Sequence, residues 1–310
     1  MLNNILLAAI FAFPQLFSFQ GNTANDNLSY IKNGFSQNIV LSESTKVATT
    51  KPPENVTNSL GVKIDARSAL MVDRKSGKIL FEKNSQEKMA IASITKLMTA
   101  VVALESRINL EDTVVIENDF VELEGADIDL QQAEELKVND LFFGTLVASG
   151  NDAASALAET VSGDVDSFIL QMNKKASELN MTNTHFASVS GLDTEGHYST
   201  ANDLVKLADE AFNKPKILEA TSTKRYEIVP KDGTPRTYNN TDKLLTSSYP
   251  KLKAGKTGYT EDAGFCLLAL SGDGQGNQII TVLLGAELNG NQFQETKALI
   301  DWAYRTYSWK

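Results

Sequence analysis

The sequence predicts an α+β protein: an antiparallel sheet with flanking helices plus a helical subdomain. Three observations carry this. Two short alternating runs come first, a long helical tract follows, and glycine-bounded strands with a closing helix end the chain. No strand–helix unit repeats, which argues against a parallel βαβ sheet. Two apolar runs, Gly264–Leu270 and Gln278–Gly285, flank Gly-Asp-Gly-Gln-Gly-Asn at 272–277, a turn between paired strands.

The chain has 310 residues, of which 42% are hydrophobic, enough for a substantial core beyond about residue 60. It opens on a 13-residue apolar run, written Ile5-Leu-Leu-Ala-Ala-Ile-Phe-Ala-Phe-Pro-Gln-Leu-Phe17. That length suits a secretory signal and is short for a membrane span. No Lys or Arg precedes it and no small-x-small cleavage site follows, so residues 1–20 are read as a signal peptide or an N-terminal membrane anchor. Residues 21–61, rich in Asn, Ser and Thr with Pro52-Pro53, read as a flexible linker. A folded domain is expected over 62–310.

Within it, Ser68–Val72 and Lys78–Glu82 alternate around Asp73-Arg-Lys-Ser-Gly77 and predict a hairpin. Ile94, Leu97, Met98, Val101 and Leu104 share one helical face. Further helices are expected at Val138–Ala148, Asp152–Val161, Asp166–Leu179 and Ala201–Phe212, the last capped by Thr200. Strands are expected at Tyr226–Val229 and Ala254–Gly258, and a last helix from about Gln292 to Tyr307.

The net charge of −10 argues against a nucleic-acid partner, which is bound through clustered Lys and Arg. Two His and one Cys cannot assemble a zinc cluster, so no metal or cofactor is expected. Cys266, inside an apolar strand, reads as packing rather than as a reactive thiol.

Three short motifs point to acyl transfer by a serine. Ser-x-x-Lys is a weak pattern, matched also at Ser29/Lys32, Ser85/Lys88 and Ser248/Lys251. Ser93/Lys96 differs because Ser93 opens the strongest buried helix and Lys96 falls on the same face. Burial and a second cation would turn Lys96 into a neutral amine able to take the serine proton. A capping serine beside a snorkelling lysine explains the same spacing. Ser149-Gly-Asn151 breaks two helices, an ordinary use of those residues. As chemistry, Ser149 relays a proton to a leaving amine and Asn151 holds a carbonyl or orients Lys96. Lys256-Thr-Gly258 lies on a strand whose Gly255 and Gly258 invite close approach by a backbone or ligand.

Ala92-Ser-Ile-Thr-Lys-Leu-Met-Thr-Ala100, Ala148-Ser-Gly-Asn-Asp-Ala-Ala154 and Lys256-Thr-Gly-Tyr-Thr260 closely resemble the serine D-alanyl-D-alanine carboxypeptidases, the low-molecular-mass penicillin-binding proteins. Ser190–Leu204 and Asn240–Leu245 also look like that family, so the resemblance covers about residues 62–310. It implies a β-lactamase/transpeptidase-like fold and peptidoglycan stem peptide as substrate, with β-lactams as acylating inhibitors. Ser93 would be the nucleophile and Lys96 the general base, with Ser149 and Asn151 completing the proton path. Lys256, Thr257 and Gly258 would bind the terminal carboxylate end of the peptide, and the backbone N–H groups of Ser93 and Tyr259 would form the oxyanion hole. An exported enzyme of cell-wall metabolism is expected.

The sequence stops soon after its last helix. The C-terminal β-rich domain and membrane-binding helix of many members are therefore expected to be absent, and anchoring is expected at the N-terminus. Glu122, Glu124, Asp127 and Asp129 make the stretch before the second motif acidic, a solvated loop that bears on peptide preference. A D,D-endopeptidase cutting cross-links is the alternative. A class A β-lactamase needs a Glu with Asn four places on after the second motif, and Glu159, Glu178 and Glu195 lack it. A non-catalytic wall-binding relative would lose Ser93, Lys96 or Lys256, which are all present. No Gly-x-Ser-x-Gly elbow supports a Ser-His-Asp hydrolase built on His185 or His197.

Overall fold

A computed structural model describes residues 51–59, 61–117, 125–231 and 233–310. The apolar segment at 1–20, most of the linker, Glu122 and Glu124 lie outside them. In chain order the strands are β1 Glu54–Asn55, β2 Ser68–Asp73, β3 Ile79–Lys83, β4 Thr113–Val115, β5 Glu135–Lys137, β6 Arg225–Ile228, β7 Arg236–Asn239, β8 Leu252–Thr260, β9 Gly264–Gly272, β10 Gln278–Ala286 and β11 Tyr307–Ser308. The helices are α1 Lys96–Glu105, α2 Val138–Phe143, α3 Asn151–Ser162, α4 Val165–Glu178, α5 Ala201–Phe212, α6 Pro215–Ser222, α7 Lys243–Thr246 and α8 Asn291–Thr306.

The central sheet runs β3-β2-β10-β9-β8 and every pairing in it is antiparallel. Alternation sends Leu70, Val72, Leu268, Leu270, Val282 and Leu284 to one face, against α5 and α6 and into the apolar cluster that continues through α1, α3 and α4. The opposite face carries Ala69, Met71, Ile279 and Leu283, packed on Leu299, Ile300 and Trp302 of α8. Burial on both faces is why β9 and β10 read as continuous apolar runs rather than as alternating ones. Each fully buried aliphatic side chain contributes roughly 1.5–3 kcal/mol.

Helix α1 is the pillar between the sheet and the helical subdomain. The sequence shows it one apolar face, yet every residue from Lys96 to Ala103 is buried. Ala100, Ala103 and Thr99 are small enough for neighbours to close over the remaining sides. Thr200 caps α5 as expected, its hydroxyl accepting from Asp203 N at 3.1 Å.

The structure differs from the expectation in four places. Packing reaches back to Glu54, not Val62: β1 pairs with β11, and Ser59 Oγ accepts from Trp302 Nε1 at 2.8 Å. The helix expected over 138–148 is α for one and a half turns and then widens into a π turn at Gly144–Ala148, ending at Ser149 with φ 64°. The strand expected at Tyr226–Val229 is β6, but its partner β7, the β4–β5 ribbon and α7 are elements of four residues or fewer, too short to register as periodicity. Helix α6 is longer, and Pro215 at its first turn is the start signal that marks it. Among the described residues no helix is long and apolar enough to cross a membrane.

Candidate active site

The turn before α1 carries backbone strain. Ala92 opens a 3₁₀ turn, Ala92–Thr95, with φ 47°, a left-handed conformation that costs a non-glycine residue on the order of 1 kcal/mol. It is held by a chain of buried hydrogen bonds. Ala187 N donates to His197 Nδ1 at 3.1 Å, so the ring proton sits on Nε2 and donates to Thr95 Oγ1 at 2.7 Å. Thr95 Oγ1 in turn donates to the Ala92 carbonyl at 2.7 Å. Burial holds His197 down at about 4, so the ring is neutral and the chain intact near neutral pH.

Strand β8 presses on this turn from the sheet. A Cβ at Gly258 would stand 3.0 Å from Ala92 Cβ and the Ile91 carbonyl and 3.1 Å from Ser93 N. A Cβ at Gly255 would meet Asp242 Oδ2 at 2.3 Å. The close approach read from these two glycines is therefore by backbone at 258 and by a carboxylate at 255. The Asp242 carboxyl caps α7 through Oδ1, while Oδ2 has no hydrogen-bond partner among the described residues and burial lifts the group to about 6.

The structure brings Ser93, Lys96, Ser149, Asn151 and Lys256 together. Lys96 is fully buried, and its Nζ lies 2.8 Å from Ser93 Oγ, 2.6 Å from Asn151 Oδ1 and 2.8 Å from the Ser190 carbonyl. Two of these partners, the amide and carbonyl oxygens, can only accept. A neutral Lys96 gives them its two N–H groups, and its lone pair is left facing the Ser93 hydroxyl proton. Burial, and then the charge of Lys256, hold Lys96 well below the ordinary lysine value, against an opposing pull from Asp152.

Lys256 Nζ donates to Ser149 Oγ at 2.7 Å and to the Thr257 carbonyl at 3.1 Å. Only 1% exposed, it stands behind Ser149 rather than on the cleft wall, and burial lowers it to about 7 while Asp242 pulls it up. Because Lys256 donates to Ser149, that hydroxyl keeps its own proton for another acceptor. The Ser149–Asn151 turn is fixed from below by Asp152, which accepts from Ile128, Leu130 and Ala153 N–H groups at 2.7–3.1 Å. Asn151 N also donates to the Ala126 carbonyl at 2.7 Å.

Above these groups opens a cleft of about 360 Å³ whose lining includes Ser93, Ser149, Asn151, Thr257, Gly258 and Tyr259. Tyr259 is exposed and stacks on Phe265 with ring centres 4.2 Å apart. Asp127 and Asp129, from the acidic stretch, are exposed. Cys266 is buried away from the cleft, its thiol pushed up to about 12. Sequence reasoning missed Ser190, Thr95, His197, Asp152 and Asp242. A buried Asp directly after Ser-Gly-Asn was the one local signal available.

A family model for D-alanyl-D-alanine carboxypeptidase matches residues 48–288. The chain is 36% identical over 249 residues to the D-alanyl-D-alanine carboxypeptidase DacF of Bacillus subtilis, covering 78% of this chain and 63% of that one. It is 31% identical over 230 residues to a D-alanyl-D-alanine endopeptidase of Pseudomonas aeruginosa, covering 74% of each. The chain thus spans less than two thirds of the DacF protein's length. Among solved structures, the Streptomyces K15 DD-transpeptidase superposes with a TM-score of 0.75 at 29% identity, over 80% of this chain and all of that one. A D-alanyl-D-alanine carboxypeptidase of Mycobacterium tuberculosis does so at 0.74 and 28%, over 81% of this chain and 96% of that one. With the antiparallel sheet and the Ser93–Lys96 geometry, these likenesses lead to one statement: the chain belongs to the peptidase S11 family, the D-alanyl-D-alanine carboxypeptidases.

Proposed function

We propose that the protein is a serine D-alanyl-D-alanine carboxypeptidase that removes the terminal D-alanine of peptidoglycan stem peptides. The observation that carries this is the Lys96 amine, held by two acceptor-only oxygens with its third position on Ser93 Oγ. Ser93 Oγ attacks the carbonyl of the penultimate residue as its proton passes to Lys96 Nζ. The oxyanion is met by the backbone N–H groups of Ser93 and Tyr259, donors worth roughly 3–4 kcal/mol each in barrier height. The C–N bond breaks, and the leaving amine takes a proton from the Lys96–Ser149 side. Water then hydrolyses the ester, with Lys96 again accepting a proton, and Ser93 is regenerated. Thr257 and Gly258 line the sheet side of the peptide, and Lys256 lends positive charge from behind Ser149.

The catalytic domain is proposed to begin at Glu54, a boundary that the β1–β11 pairing supports. The substrate lies outside the cytoplasmic membrane, so an exported, extracytoplasmic enzyme is proposed, with residues 5–17 as export signal or anchor. The P. aeruginosa endopeptidase relative favours a second reading, cleavage of D-alanyl cross-links.

The test is labelling of the full chain and Ser93→Ala with a fluorescent penicillin, alongside D-alanine release from a pentapeptide and from a cross-linked muropeptide. A stable band on the parent alone, with D-alanine released, supports the carboxypeptidase. Cleavage of the muropeptide alone selects the endopeptidase. No band on a folded parent, with the penicillin intact, overturns the acyl-enzyme. No band with the penicillin consumed points to a β-lactamase.

A further inference from the structure

An enzyme that removes the last residue of a peptide must find a chain end, and the chemical mark of that end is a carboxylate. The cation nearest the nucleophile on β8, Lys256, is badly placed for this. Its ammonium is 1% exposed and its hydrogen bonds run inward, to Ser149 Oγ and the Thr257 carbonyl. Among the described residues that line the cleft, one side chain carries a full charge, and it is Lys243.

Lys243 is the first residue of α7, and the Asp242 carboxyl that caps that helix fixes the backbone beneath it. Its Nζ lies 6.0 Å from the ring centre of Phe293, which lines the same cleft. Its side chain is exposed to solvent. Thr241, two positions earlier, reaches the Thr257 hydroxyl of β8 at 2.5 Å. Thr241, Lys243 and Thr257 all line the cleft, and since one of the two hydroxyls donates to the other, one hydroxyl proton and an ammonium are left to meet a carboxylate. The chain as a whole carries −10, so an anionic peptide end has no help from the global field and depends on a local cation.

We propose that Lys243 is the specificity residue that reads the terminal carboxylate of the peptide, with the Thr241 and Thr257 hydroxyls beside it. This rests on the acyl-transfer reading above. It divides the work between two lysines: Lys256 serves the proton path through Ser149, and Lys243 selects the chain end.

The experiment compares acylation of the full-length protein by benzylpenicillin and by its methyl ester, and turnover of a D-Ala-D-Ala peptide and of its C-terminal amide. In Lys243→Gln the acid-to-ester and acid-to-amide rate ratios should fall about ten-fold, the scale of one charge-assisted hydrogen bond. Lys243→Arg should recover most of that ratio. The side chain is exposed, so an unchanged melting temperature is the control for folding. Lys243→Gln with parental ratios would overturn the proposal and leave the acyl-enzyme reading standing. A parent that reacts with neither penicillin would overturn both.

Discussion

The two walls of the cleft hold their polar groups in opposite ways. On the helical wall, Lys96, Ser149, Asn151 and Asp152 are buried, and their side chains are bonded to protein atoms. On the sheet wall, Thr241, Lys243 and Tyr259 are exposed and Thr257 is half-buried. Burial displaces protonation equilibria and fixes direction, which is what a proton transfer requires. Exposure leaves hydrogen-bonding capacity free for a peptide. The contrast implies that helical-wall variants lose kcat, whereas sheet-wall variants raise KM.

The sharpest way to break this contrast is at Lys96. Lys96→Ala should lower penicillin acylation by about 10²–10⁴-fold, the range of a positioned general base, read by stopped-flow fluorescence. In the parent, acylation should rise with pH as Lys96 deprotonates, and this rise should fall below the range of an ordinary lysine. A rate independent of Lys96 would remove the helical wall from the chemistry.

Next in size is the joint between the walls. Gly258→Ala forces a Cβ to 3.0–3.1 Å from the Ala92 turn and Ser93 N. Overpacking of this kind costs about 1–3 kcal/mol, and a melting curve with an acylation assay should show both destabilisation and a fall in kcat. Unchanged kcat would mean the turn yields without disturbing Ser93.

The relay beneath Ser93 comes third. Thr95→Val strands the His197 Nε2–H and the Ala92 carbonyl, at a cost of about 1–3 kcal/mol, and Thr95→Ser should restore stability and rate. His197 is held at about 4 against an ordinary 6.5. The unfolded chain therefore binds its proton first, and its contribution is full above 6.5 and lost as pH falls toward 4. Denaturant titrations of His197→Asn should show a flatter stability profile across that interval.

A smaller effect is expected on the sheet wall. Thr257→Val should raise KM for the peptide several-fold, the loss of about one hydrogen bond, with kcat little changed. Steady-state kinetics showing the reverse split would erase the distinction between the walls.

The smallest effect on chemistry is expected on the far face of the sheet. Trp302 packs there edge-on against Phe81 and Tyr307. Trp302→Ala should cost about 3–5 kcal/mol of stability while acylation per folded molecule stays at the parental rate.

The order of elements, the antiparallel sheet, the Ser93–Lys96 pair and the Thr200 cap were legible in the sequence. Each rests on neighbours two to four residues apart, the range over which strand alternation and helix spacing operate. The oxygens that hold the Lys96 amine lie 55 and 94 residues away in Asn151 and Ser190, and Lys256 meets Ser149 across 107. No local pattern encodes such meetings. Sheet register sets β8 against the Ala92 turn, and the closing strand β11 draws β1 into the fold at Glu54. The sequence by itself determined which groups exist and which helices and strands carry them. Tertiary packing alone decided which of those groups are dry, because desolvation depends on what closes over a side chain from elsewhere in the chain.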